Sequence, residues 1–161
     1  MQTDKMNILI IEDEQDILDL LSYYLTQEGY QVTGIANGEQ ALQVLPRIKP
    51  HLIILDLMLP GLGGLDICRL LKTTRETAAI PVIMVTAKCE DEDVVTGLKM
   101  GADDYIAKPF SMKVLLARIE TALRRNYKPD QLDEVPLAPD TVINLLKQVE
   151  GGLLTKIFEF H

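Results

Sequence analysis

The feature that most constrains this chain is a run of four apolar residues, Leu52 to Leu55, that ends in an acid, Asp56. Such a run is too short for a helix and rich in branched side chains, so it predicts a buried strand near the centre of a sheet. Asp56 then stands at the strand's carboxyl end, where open parallel sheets bind their ligands. Pro60, Gly61, Gly63 and Gly64 follow and predict a tight loop with accessible backbone.

The pattern recurs on both sides of this strand. Asn7 to Ile11 is a second apolar run and leads directly into Glu12, Asp13 and Glu14. Pro81 to Val85 is a third, ending in Thr86 and Ala87, and the short run Tyr105 to Ala107 ends in Lys108. Gln31 to Ile35 predicts the remaining strand. Between them the apolar positions change to helical spacing. They are Ile17, Leu18, Leu21, Tyr24 and Leu25 over residues 16–28, with Gly29 as the stop, and Ala41, Leu42, Val44, Leu45 and Ile48 around Pro46. Ile67, Leu70 and Leu71 mark a third helix over 65–72. Val94, Val95 and Leu98 mark a fourth over 91–100, ended by Gly101. Leu115, Ile119, Ala122 and Leu123 mark a fifth behind a Ser111 cap. Five strand-then-helix units with short connections predict an α/β fold, a parallel sheet covered on both faces through right-handed crossovers.

Composition narrows the function. A net charge of −8 opposes non-specific nucleic-acid binding, which depends on cationic surface, and no basic run offsets it. There is no apolar stretch of membrane-spanning length and no signal-peptide pattern at the start, so the expected location is the cytoplasm. Cys68 and Cys89 lie on different elements without metal or redox spacing and are expected to be free thiols. His51 and His161 form no cluster that could hold zinc.

What remains is the set of polar groups at neighbouring strand ends: Glu12 and Asp13, Asp56, Thr86, and Lys108. Crowded carboxylates repel one another unless a cation compensates. A hard divalent ion, Mg²⁺ or Mn²⁺, suits few protein oxygens plus water and a phosphoryl oxygen. Such an ion makes Asp56 a workable nucleophile toward phosphorus, with Lys108 and the Thr86 hydroxyl holding the other oxygens. The product is an aspartyl phosphate.

These residues resemble a known family. Glu12-Asp13, Asp56 with Met58, Leu59, Pro60 and Gly64, Thr86-Ala87, and the run from Gly101 to Phe110 are similar to the receiver domain of bacterial two-component response regulators, in the OmpR/PhoB-type branch. The resemblance covers residues 5–125 and implies a flavodoxin-like (βα)5 sheet of order 2-1-3-4-5. It implies that Asp56 is the phosphoacceptor, served by the phosphohistidine of a sensor kinase or a phosphotransfer protein. Asp13, Asp56 and the Met58 carbonyl become metal ligands, with Glu12 acting through water. Thr86, Ala87 and Lys108 hold the phosphoryl group, the Lys108-Pro109 peptide is expected to be cis, and Tyr105 is the aromatic that responds to Thr86.

The same resemblance implies a phosphorylation-promoted dimer through the face of the fourth helix, fifth strand and fifth helix. Asp104 and Arg118 match one ion pair of that face, Lys99 and Glu120 a second with signs exchanged, and Val94 and Val114 stand where a third is expected. Residues 126–139 read as a linker with Pro129, Pro136 and Pro139. Residues 140–161 read as a short amphipathic tail in which Val142, Leu145, Leu146 and Val149 share a face, followed by Gly151-Gly152 and an apolar end. That tail is expected to pack on its own domain, to be the remnant of a longer regulator, or to dock a partner. No complete DNA-reading element is recognisable, so this chain is not expected to bind nucleic acid directly. An alternative is a haloacid-dehalogenase-like phosphohydrolase, which also uses an aspartate nucleophile but needs a second acid where Met58 stands. A flavodoxin-like redox protein is a third reading, without a nest for a flavin phosphate.

Overall fold

A computed structural model of the protein describes residues 5–126. In chain order the elements are β1 (Asn7–Ile11), α1 (Gln15–Gln27), β2 (Gln31–Ile35), α2 (Gly38–Ile48), β3 (Leu52–Leu55), α3 (Gly64–Thr73), β4 (Val82–Thr86), α4 (Asp91–Lys99), β5 (Asp104–Ala107) and α5 (Met112–Asn126). The strands form one parallel sheet of order β2-β1-β3-β4-β5, as expected. Among the described residues no helix is long and apolar enough to cross a membrane. The linker and tail expected from residues 126 and 140 onward lie outside the described residues, apart from Asn126, which ends α5.

Strand alternation divides the core into two layers. Leu9, Ile11, Ile53, Leu55, Val82 and Met84 point toward α2 and α3, where they meet Leu42, Leu45, Ile67 and Leu71. Ile8, Ile10, Leu52, Ile54, Ile83 and Val85 point the other way, toward Leu21 and Leu25 of α1 and Leu115 and Ile119 of α5. Ile8 to Ile11 of β1, Leu52 to Leu55 of β3 and Val82 to Val85 of β4 are therefore apolar without interruption, because both faces of these strands are covered. Gly29 and Gly101 end α1 and α4 with positive φ, the conformation that stops a helix at least cost.

Two helical stripes are less buried than their periodicity predicts. Tyr24 is 41% exposed, because α1 already fills its contact with Leu18, Leu21 and Leu25. In α4, Val95 and Leu98 are nearly half exposed, and the buried residue is Gly97. The helix lies over the Tyr105 ring at Gly97, so the apolar side chains beside that point face outward.

A polar pin joins α3, β4 and the approach to β5 at the end of the sheet opposite Asp56. The Lys72 ammonium donates to the carbonyls of Ala78 and Ile80 at 3.3 and 2.7 Å and to Asp103 Oδ2 at 3.0 Å. The same carboxylate oxygen accepts the Val82 N–H at 2.8 Å, so Asp103 closes the entry to β4. Both side chains are largely shielded, 15% and 23% exposed, and removal of Asp103 leaves the Val82 N–H without this acceptor and the Lys72 ammonium without its counter-charge. Asp103→Ala is expected to destabilise the fold by about 2 kcal/mol, read as a lower urea midpoint at unchanged slope.

Candidate functional site

The ladder of the sheet continues one residue past its strands, and this fixes the site. The Glu12 N–H donates to the Ile35 carbonyl and the Asp56 N–H to the Ile11 carbonyl, each at 3.0 Å, while the Lys108 N–H donates to the Thr86 carbonyl at 2.8 Å. Adjacent strands therefore deliver Glu12, Asp56, Thr86 and Lys108 to one edge in fixed register. Glu12, Asp56 and Thr86 are buried; Asp13, the next residue outward, is exposed. Carboxylate oxygens of Glu12, Asp13 and Asp56 lie within 4.8 Å of one another.

Lys108 spans the buried acids. Its ammonium is 2.8 Å from Glu12 Oε2, 3.0 Å from Asp56 Oδ2 and 3.6 Å from Glu14 Oε1. The Lys108-Pro109 peptide is cis, as expected. Backbone donors complete the acceptors: the Met58 N–H reaches Asp56 Oδ1 at 3.0 Å and the Glu14 N–H reaches Glu12 Oε1 at 3.1 Å. Burial pushes the Glu12 carboxyl above its ordinary pKa and the Asp56 charge adds to that, although the Lys108 and Glu14 hydrogen bonds oppose it. Burial works against the charged form of Lys108 too, but the hydrogen bonds to Glu12 and Asp56 outweigh it and raise its pKa.

The loop after β3 depends on a close approach. A Cβ at residue 64 would stand 2.7 Å from Leu57 Cα and would collide with the Asp56 carbonyl oxygen, so only glycine lets α3 begin directly against the strand end. The Gly64 N–H donates to the Leu57 carbonyl at 3.1 Å and seals that contact. On the other side, Thr86 Oγ1 accepts the Lys88 N–H at 3.2 Å, and the Tyr105 hydroxyl donates to the Lys88 carbonyl. Lys88 thus joins Thr86 and Tyr105 through its two backbone groups. Burial, followed by the charges of Asp93, Cys89 and Asp56, pushes the Tyr105 phenol up to about 12. Ala87 lies between these groups and is exposed.

The family described as response regulator receiver domain matches residues 8–120. This chain belongs to that family. It is 44% identical over 126 residues to proteins named DNA-binding response regulator MtrA from Mycolicibacterium smegmatis and Mycobacterium tuberculosis, a match covering 78% of this chain and 54% of those relatives. The chain thus spans about half the length of the curated relatives it matches. Among solved structures it resembles the BeF3-activated N-terminal receiver domain of RstA from Klebsiella pneumoniae, with TM-score 0.69, 36% identity and coverage of 73% and 98% of the two chains. It also resembles the BeF3-activated DrrB receiver domain, with TM-score 0.68, 37% identity and coverage of 75% and 99%. Receiver domains of two-component response regulators are therefore its relatives in sequence and in fold, and nothing supports the phosphohydrolase alternative.

The residues expected on a dimer face lie on α4, β5 and α5. Asp104 Oδ2 and Arg118 Nη1 are 3.4 Å apart within the chain, a β5-to-α5 bridge. Lys99 and Glu120 are both exposed, Val94 is half-buried, and Val114 is 48% exposed. Sequence reasoning missed the backbone donors of Met58 and Lys88, which carry no side-chain signature, and the approach of Glu14 to Lys108. The Glu12-Asp13-Glu14 run was the available signal for the latter.

The donor set suits a hard divalent cation, being all carboxylate oxygen with one acid at the surface and negative charge left over after Lys108 is counted. Mg²⁺ at millimolar concentration is expected to raise the thermal midpoint by mass action. Asp13→Asn is expected to remove most of that rise without lowering the metal-free midpoint. A separate expectation concerns alkaline pH. Lys108 has a raised folded pKa, so its contribution is complete below the ordinary value of 10.5 and is lost as pH climbs through the folded value. Lys108→Met is expected to flatten that alkaline limb in a pH series of urea midpoints.

Proposed function

We propose that this chain is a phosphoacceptor module of the OmpR/PhoB-type branch, working in the cytoplasm and phosphorylated on Asp56 by a sensor histidine kinase or a phosphotransfer protein. The observation that carries the reading is the Asp56 carboxylate itself. It is buried at the carboxyl edge of the sheet, held by the Met58 N–H on one oxygen and by Lys108 on the other, within reach of two further acids. The branch is supported by the identity to MtrA and by the Asp104 and Arg118 positions.

In this reading Asp13, Asp56 and the Met58 carbonyl hold Mg²⁺ directly, and Glu12 holds it through water. The ion, when bound, neutralises charge on the incoming phosphoryl group. An Asp56 oxygen attacks phosphorus as the phosphorus–nitrogen bond of the donor imidazole breaks, and the bonding pair leaves on that nitrogen. Lys108, already 3.0 Å from Asp56, pairs with a phosphoryl oxygen, while the Thr86 hydroxyl and the Ala87 N–H take the others. Thr86 is then drawn away from the Lys88 N–H, and the change passes to Tyr105 through the Lys88 carbonyl. The result is a population shift of the α4-β5-α5 face, which includes Val94, Lys99, Asp104, Val114, Arg118 and Glu120. Dimerisation or partner binding reads it out. For the dimer, Asp104 and Arg118 exchange their internal bridge for cross-subunit contacts, a near-neutral trade for surface charges.

Incubation with acetyl phosphate and Mg²⁺ is expected to add one phosphoryl group, seen as a mass increase, and Asp56→Asn is expected to remove it. Full labelling of the Asp56→Asn protein at another residue would overturn the assignment. For the output, light scattering with Mg²⁺ and beryllofluoride is expected to show a monomer becoming a dimer. A mass fixed at monomer leaves partner binding as the output.

A further inference from the structure

α4 buries one residue, Gly97, and what it meets is the Tyr105 ring. A methyl carbon at position 97 would stand 2.9 Å from Tyr105 Cδ2 and 3.0 Å from Cε2, well inside the roughly 3.5–4.0 Å at which carbon atoms pack. The ring has little slack with which to yield. Its hydroxyl is bonded to the Lys88 carbonyl, its backbone N–H lies 2.9 Å from Asp104 Oδ1, and its strand is in register with Met84 of β4. Glycine inside a helix ordinarily costs stability relative to alanine, so its presence in a helix of nine residues has a local cause here.

We propose that Gly97 is the seat of Tyr105: the missing side chain at this position admits the ring against α4, and the residue at 97 sets how the ring divides between docked and undocked positions. The geometry stands on its own; its consequence for signalling rests on the reading of Tyr105 given above. Any side chain at 97 displaces the ring, deprives the Lys88 carbonyl of its donor and cuts the connection from Thr86 to Tyr105. Gly97 has no side chain with which to hold a phosphoryl oxygen, and the nearest atoms a Cβ there would meet are those of Tyr105, so it is a positioning residue whose loss leaves phosphoryl chemistry in place.

The test uses the full chain labelled with ring-¹³C tyrosine, with the Tyr105 resonance assigned by its loss in Tyr105→Phe. Spectra are recorded with and without Mg²⁺ and beryllofluoride. In Gly97→Ala the Tyr105 signal is expected to move toward that of a solvent-exposed tyrosine in both conditions, while the signals of the other four tyrosines stay in place. Labelling by acetyl phosphate is expected to persist. Thermal midpoints supply a second measurement that does not depend on spectral assignment. Alanine at 97 is expected to lower the midpoint in the native background and to raise it in a Tyr105→Ala background, where only helix propensity remains. A Tyr105 signal unmoved in both conditions, or a midpoint that rises equally in both backgrounds, would overturn the seat. A displaced ring with an unchanged response to beryllofluoride supports the seat and removes Tyr105 from the output route, which separates failure of the signalling reading from failure of this inference.

Discussion

The Lys108 ammonium between Glu12 and Asp56 is the contact on which the site depends. Burial disfavours the charge of two carboxylates on adjacent strands, and each adds to the other's cost by repulsion. Lys108 opposes that cost from the opposite side of β4, at 2.8 and 3.0 Å. It can do so because the ladder bond from its own N–H to the Thr86 carbonyl fixes where its side chain begins. The arrangement couples three strands electrostatically at their carboxyl ends, above a core already packed on both faces. It also leaves Asp13 unburied at the mouth, so a second cation can approach without displacing the lysine. Burial raises the cost of every charge here, and each partner is held in place because losing it would expose that cost.

Much of this was legible from residue order, for a physical reason. In a parallel sheet all strands enter from one side, so a polar residue following each apolar run must arrive at the same edge. Strand identity followed from short branched runs, and the collection of Glu12, Asp56, Thr86 and Lys108 followed from strand identity. The register β2-β1-β3-β4-β5 was less direct, because apolar runs do not say which neighbours they choose; it came from resemblance to receivers and is what the sheet displays.

Other features were hidden because they depend on distance through space. Lys72 looks like an ordinary solvated lysine on a helix, yet it closes a three-way pin with Asp103, 31 positions later. Val95 and Leu98 have helical spacing, and that spacing identifies a stripe without saying what lies beneath it. In α4 the space beneath is taken by Tyr105, which comes from the following strand. Gly97 reads as a blemish in the helix until the ring is placed against it. The Asp104–Arg118 bridge carries the same lesson in charge: two residues that match a contact between chains satisfy each other within one chain.

Among the five described helices α4 buries the fewest residues. Its buried contact is a glycine under one aromatic ring, whereas α3 and α5 each bury four or more residues. A neutral hydrogen bond such as that from Tyr105 to the Lys88 carbonyl is worth about 0.5–1.5 kcal/mol net. Coupling between sites in regulated proteins is typically about 1–3 kcal/mol. The two magnitudes overlap, so on the proposed reading the exchange of one hydrogen bond at Lys88, with the ring contact that accompanies it, is enough to change the balance of the α4-β5-α5 face severalfold. No rearrangement of the core is required. The deep layers of the sheet keep the acids in register, and on that reading the single ring between β5 and α4 carries the variable part of the structure.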